Sequence, residues 1–212
     1  MENLIKKIEN ELIGKIELKS INPKDPIVVS NIPIGWTLLG NGNYAAVLFH
    51  EDFPEYVVKI YAPGREGIKE ESLVYKKIGD HPSYSKCYYY GSEFLIFKRL
   101  HGTTLYDCLK KGIKITPNVI EDIDNALKYA KKRDLNPHDV HFKNVMLDTN
   151  GRGIIVDISD FTKKQKCNLW KDSKKFYFKF YTRLPFIIPL PEFILNTGRK
   201  TYRLYKKIKG KC

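Results

Sequence analysis

Four stretches of this sequence combine residue types that can handle a phosphorylated substrate. Lys59 lies in YVVKIY, an ammonium inside an apolar β-like run, and alternation puts it on the same face as Val57 and Tyr61. A charge on a buried face needs a partner, and Glu71, on the helical stretch that follows, can supply one; a solvated Lys and a solvated Glu are the alternative. Gly40-Asn-Gly42-Asn-Tyr-Ala45-Ala-Val47 falls between two strand-like runs. Its glycines would let backbone N–H groups approach phosphate oxygens, although a tight hairpin turn would use the same residues. In Asn136-Pro-His-Asp139-Val-His141-Phe-Lys-Asn144, an Asp and an Asn five apart can present a carboxylate base together with an amide metal ligand, or can serve a polar turn. Asp157 ends the apolar run GIIVD, where a buried carboxylate calls for a cation or a donor; a solvated strand end would leave it unpaired.

These residues need elements to hold them. Leu4, Ile5, Ile8 and Leu12 recur at helical spacing, predicting a short amphipathic helix at the start of the chain. From Trp36 to Tyr61, WTLL, YAAVLFH and YVVKIY alternate with turn residues and read as an antiparallel meander. A helix over Lys69 to Ile78 and two strands, CYYYG and EFLIFKRL, follow. After His101-Gly102 the pattern turns helical. LYDCLKKG ends at Gly112, and a longer helix has Thr116 as N-cap, Pro117 at its first position and a stripe of Val119, Ile120, Ile123, Ala126, Leu127 and Ala130. VMLD and GIIVD read as a pair of short strands. A β-rich half followed by a helical half predicts an α+β fold of two lobes, with a hinge near Arg99 to Gly102.

Composition sets the outer bounds. With 212 residues, 42% hydrophobic and 13% aromatic, the chain suits one good-sized core or two small lobes and is not disordered throughout. No stretch has the length of an uncharged membrane span, and the N-terminus does not read as a secretory signal. Cys87, Cys108, Cys167 and Cys212 are scattered, which argues against a zinc site or a disulfide framework and for a cytoplasmic protein with reduced thiols. The net charge of +13 is localised: residues 161–212 hold 15 Lys/Arg against Asp172 and Glu192, and the rest of the chain is neutral.

In order and spacing the four stretches resemble the protein-kinase signature: a Gly-rich loop with its Val, a strand-three Lys, a helix-C Glu, a catalytic loop ending in Asn, and a metal-binding Asp. The resemblance implies a two-lobed protein-kinase-like fold. Residues 1–35 would be an N-terminal extension, 36–100 the N-lobe, 101–160 the catalytic core of the C-lobe, and 161–212 a basic, aromatic segment completing it. It also implies that Gly40, Gly42 and Val47 cover ATP and that Lys59, oriented by Glu71, contacts the α/β-phosphates. The backbone from Lys98 to Leu100, after a gatekeeper Phe97, would meet the adenine edge. Asp139 would accept the proton of the attacking hydroxyl, and Asn144 and Asp157 would hold Mg2+.

The chain also departs from that signature. Ala45 stands for the third glycine, Pro137-His138-Asp139 for His-Arg-Asp, and Asp157-Ile158-Ser159 for Asp-Phe-Gly. His141 lies where Ser/Thr kinases commonly carry Lys, which is similar to aminoglycoside and choline phosphotransferases. Only 52 residues follow Asp160, without Ala-Pro-Glu, implying a truncated C-lobe that lacks the usual activation segment and peptide-binding helices. In that shortness the chain resembles RIO kinases, short bacterial kinases of lipopolysaccharide sugars, and small bacterial proteins labelled serine/threonine kinases. The implied function is a minimal serine/threonine protein kinase. A small-molecule hydroxyl kinase, a pseudokinase acting as a nucleotide-dependent binding module, and a nucleic-acid-binding protein with a vestigial kinase fold are the alternatives.

After Phe161, Leu169, Trp170, Ser173, Phe176, Tyr177 and Phe180 recur at helical spacing and predict a core helix. The basic final stretch from Arg199, with Tyr202, Leu204, Tyr205 and Ile208 interleaved, suits a polyanionic partner, whether RNA, DNA, an acidic protein or an anionic membrane surface; a solvated helix face is the plainer reading.

Overall fold

The first apolar residues of the chain form α1 (Glu2–Lys7), which runs into one wider turn over Ile8–Leu12, where Ile13 N–H donates to Ile8 O at 2.8 Å. The computed structural model describes residues 1–23, 25–183 and 188–196, and the basic stretch from Arg199 lies outside them. The chain divides into two compact units. The first comprises Met1–Gly79 and Ser85–Arg99, the second Asp80–Tyr84 and everything from Leu100.

In the first unit, β1 (Glu17–Lys19) pairs with β2 (Val28–Ser30). A five-stranded antiparallel sheet follows, made of β3 (Trp36–Asn41), β4 (Ala45–His50), β5 (Tyr56–Tyr61), β6 (Cys87–Tyr90) and β7 (Phe94–Lys98) in the order β3-β4-β5-β7-β6. Alternation gives this sheet two apolar faces. Leu48, Val58, Ile60 and Ile96 pack with Leu4, Ile8 and Leu12. Residues 1–12 therefore belong to the core of this unit, each of the three contributing about 1.5–3 kcal/mol by burial. Lys59 and Glu71 join the sheet's other face to α2 (Ile68–Ile78), which buries Glu71, Val74, Tyr75 and Ile78.

In the second unit, β8 (Gly102–Thr104), β9 (Val145–Asp148) and β10 (Gly153–Ile155) form a three-stranded antiparallel sheet in the order β10-β9-β8. Thr104 caps α3 (Leu105–Lys111): its Oγ1 accepts the Asp107 N–H at 3.0 Å and donates to the Asp107 carboxylate at 2.7 Å. Gly112 ends α3 in the left-handed region at φ 65°, as a C-terminal glycine should. In α4 (Pro117–Lys131) the buried residues are Val119, Ile120, Ile123, Ala126, Leu127 and Ala130, the stripe read from periodicity. Thr116 stands at the N-cap, but its side chain makes no capping bond.

The aromatic helix α5 (Leu169–Lys179) buries only part of its expected stripe. Trp170 and Tyr177 are inside, whereas Phe176 and Phe180 are exposed. At 100° per residue, Phe176 points about 100–120° away from Tyr177 and Trp170, and Phe180 stands at the C-cap, past the last residue of the helix. Polar anchors fix the inward side. Trp170 Nε1 and Lys174 Nζ both reach Asp124 on α4 at 2.8 Å, Tyr177 donates to Ile115 O at 3.0 Å, and Ile115 N–H donates to Tyr181 at 2.9 Å. Among the described residues no helix is long and apolar enough to cross a membrane, and Cys87, Cys108 and Cys167 are free thiols.

Candidate functional site

The expected residues fall into two groups, one per unit. In the first unit a single row of the sheet reads Gly40, Val47, Lys59, Leu95, each facing the next across neighbouring strands. Cross-strand partners share a face, so Val47 lies beside the lysine. Lys59 Nζ is 2.8 Å from each Glu71 oxygen. The two side chains are 14% and 2% exposed, so neither charge is simply solvated. Tyr61 adds a partner that sequence reading placed on this face but gave no role: its hydroxyl donates to Glu71 Oε2, and its ring lies 5.7 Å from the ammonium. The helix carrying Glu71 starts after Gly67, at φ 133°, where an added Cβ would stand 3.0 Å from the Tyr61 ring.

Gly40 and Gly42 are not held by local sterics. Neither has positive φ, and a Cβ at either would meet nothing within 4 Å. Gly42 N–H donates to Ala45 O at 2.9 Å to close the β3–β4 turn, a bond any non-proline residue could make. The hairpin thus has no need of glycine at these positions. Further along the unit, Phe97 packs on Tyr75 with ring centroids 4.6 Å apart. Lys98 N–H donates to Lys86 O, and Lys98 O accepts Ser85 Oγ at 2.7 Å. Leu100, the first residue of the next run in the second unit, has no backbone hydrogen bond to a described residue.

The second unit frames Asp139, Asn144 and Asp157 with backbone bonds. Asp139 sits at φ 55°, a left-handed conformation an Asp tolerates better than most residues. Asn144 Nδ2 donates to Asp139 O at 3.0 Å, and Val156 N–H donates to Asn144 O at 3.1 Å, tying the loop to the residue before Asp157. Ser159 donates to Asp157 Oδ1 from both N–H and Oγ, at 3.1 and 2.8 Å. His141 Nε2 lies 3.8 Å from Asp139 Oδ1. Burial raises the Asp139 carboxyl above its ordinary range; His141 opposes the shift, and the charges of Asp160 and Asp157 add to it. Negative charge gathered around Asp139 in this way favours a bound cation. Asp157 and the Asn144 amide are hard oxygen donors suited to Mg2+. Among the described residues no group of three His, Cys, Asp or Glu side chains forms a metal cage.

Other polar residues brace this loop without any motif to announce them. Asn136 Nδ2 donates to Lys163 O and Gln165 O, at 2.5 and 3.1 Å, and Asn136 N–H donates to Phe161 O. Asp139 N–H points at Cys167 Sγ, 3.4 Å away, and His138 Nδ1 lies 3.7 Å from Asp160. Their only sequence signal is their closeness to the Asp139 and Asp157 stretches.

Over 162 residues, 76% of this chain and 75% of the relative, the sequence is 31% identical to the Bacillus subtilis (strain 168) protein named "Putative serine/threonine-protein kinase YrzF". No established family profile matches the chain.

Proposed function

The chain belongs to the kinase-like family of that Bacillus subtilis protein, and we propose that it is an ATP- and Mg2+-dependent phosphotransferase acting on an alcohol, with a serine or threonine side chain as the leading acceptor. The observation that supports this reading is the loop in which Asn144 bonds the Asp139 backbone and is itself bonded from Val156, so that Asp139, Asn144 and the run into Asp157 share one frame, as a base and two metal ligands would need to. Bound Mg2+ would neutralise the phosphate oxygens of ATP and leave the γ-phosphorus open to attack.

The protein's own groups have separable tasks. Glu71 holds the Lys59 ammonium at a fixed point on the sheet, ready for the α/β-phosphates. The open space over Gly40 and Gly42 admits phosphate to the backbone. Asn144 and Asp157 would hold the metal. Asp139 would orient the acceptor hydroxyl and take its proton, with His141 beside it stabilising the ionised form. The Asp139-x-His141-x-x-Asn144 arrangement, which resembles that of aminoglycoside and choline phosphotransferases, favours a second reading, a small hydroxylated acceptor in place of a protein.

The test is Mg2+-dependent ATP turnover and autophosphorylation in wild type, Lys59→Met, Asp139→Ala and Asp157→Ala. Loss of the base should lower kcat about 10²–10⁴-fold with ATP binding retained. ATP binding with no difference in turnover between wild type and Asp139→Ala, across protein and small-molecule acceptors, would instead favour a nucleotide-dependent binding module.

A further inference from the structure

Apart from the catalytic loop, the second unit carries an exposed apolar surface with cations set along it. Phe180 and Phe176 lie 6.0 Å apart by ring centroid, and Phe176 lies 6.1 Å from Phe142. Phe142 O accepts the Tyr106 N–H, and Tyr106 OH reaches Asn196 at 3.4 Å, in the helical stretch 192–196 that carries Phe193 and Ile194. Phe180 is 56% exposed, Phe193 70%, Ile194 47% and Ile188, on the segment leading into that stretch, 59%. Apolar side chains grouped this way on a surface mark an interaction site.

The cations follow the same line. Lys179 Nζ lies 5.5 Å from the Phe180 ring centre, and Lys143 Nζ 4.3 Å from that of Tyr106. On α5, Lys171, Lys175 and Lys179 recur every four residues on the side away from Trp170 and Tyr177, with the exposed Phe178 at one edge of the row and Phe176 at the other. Buried aromatics on one side and a lysine row bordered by exposed aromatics on the other is the make-up of a helix that lies in a lipid interface.

We propose that this face docks on a membrane surface bearing anionic lipid headgroups. Phe180, Phe193, Ile188 and Ile194 enter the boundary between headgroups and acyl chains, and the lysines meet the phosphates. The charge of residues 161–212, 15 Lys/Arg against two acids, complements such a surface. Two aliphatic side chains select a bilayer over nucleic acid, because Ile188 and Ile194 offer no ring for a base to stack on. The surface reaches Phe142 and Lys143, inside the loop between Asp139 and Asn144, so docking brings that loop close to the lipid.

The experiment is sedimentation of the full-length chain with phosphatidylcholine vesicles, with and without phosphatidylglycerol, in the absence of nucleotide. Binding is then read independently of any kinase activity. The chain should pellet only with the anionic vesicles. Ile188→Ser with Ile194→Ser, which leaves the charge unchanged, should lower partitioning by more than about tenfold. Lys175→Gln with Lys179→Gln should lower it about thirtyfold. Circular dichroism should show all variants folded, since these side chains are exposed. Failure of wild type to pellet would overturn the proposal, as would a serine pair that binds as well as wild type, which would leave charge attraction alone. Tight single-stranded RNA binding that the serine pair retains, with no vesicle binding, would assign the face to nucleic acid instead.

Discussion

Replacing Lys59 by Met keeps most of the side-chain volume and removes the ammonium. Glu71, 2% exposed, then loses a partner 2.8 Å from both its oxygens, while the Tyr61 hydroxyl still donates to it. Removing one member of a buried pair costs about 3–5 kcal/mol, mostly from the charge left behind. The retained Tyr61 bond and the partial exposure of Lys59 place this case at the lower end, about 3 kcal/mol. Lys59→Met with Glu71→Gln removes both charges and should cost about 1 kcal/mol, because the neutral amide still accepts from Tyr61. The double variant is therefore expected to be the more stable of the two by about 2 kcal/mol, a non-additivity that solvated side chains cannot produce. The assay is urea unfolding followed by tryptophan fluorescence. The chain has two tryptophans, Trp36 in the first unit and Trp170 in the second, so a Trp170→Phe background leaves Trp36 reporting on the unit that holds the pair. Coincident curves for the single and double variants would refute the buried-pair argument.

Four further outcomes follow from the geometry. Asp139→Asn should lower turnover about 10²–10⁴-fold yet raise the melting temperature at neutral pH in the presence of a chelator. The folded state holds the Asp139 proton to higher pH than the unfolded state, so stability falls as pH rises between the two pKa values and the gain from Asn disappears in acid. Tyr61→Phe should raise the KM for ATP about tenfold, since it loses a hydrogen bond to a charged group worth about 1.5 kcal/mol, and kcat should change less. Gly153→Ala should cost about 1–3 kcal/mol, because its Cβ would stand 2.5 Å from Val119 O. Gly40→Ala meets no atom, so thermal melts should show the apo protein unchanged and the stabilisation by ATP reduced.

What the sequence revealed was local in origin. The α4 stripe and the meander of β3 to β5 are periodic patterns read within one element, and both appear in the structure. The spacing of Lys59 and Glu71 was likewise legible, because a lone charge on an apolar strand asks for a partner. Tyr61 shared that face by parity, but nothing in parity says that its hydroxyl reaches the same carboxylate. Asn136 and Cys167 lay beyond reading because their partners, 163–165 and Asp139, come from loop geometry with no period. Phe176 and Phe180 were mistaken for core because an aromatic at helical spacing does not reveal which side of the stripe has neighbours. The N-terminal residues looked like an extension, yet Leu4, Ile8 and Leu12 complete a core whose other members follow much later in the chain.

The five residues Asp80–Tyr84 belong with the second unit although the chain returns to the first for another fifteen, Ser85–Arg99. Ser83 accepts from Ile155 N–H at 2.8 Å, Tyr84 forms a parallel bridge with Ile155, and Tyr84 OH donates to Ala126 O. Neither unit can therefore be cut out as one continuous piece of gene, and a break after Arg99 would strip the second unit of an internal strap. During synthesis the first unit has its whole sequence available once Arg99 has emerged from the ribosome. The strap emerges sooner, at Tyr84, and must wait until Ile155 is made before it has its backbone partner.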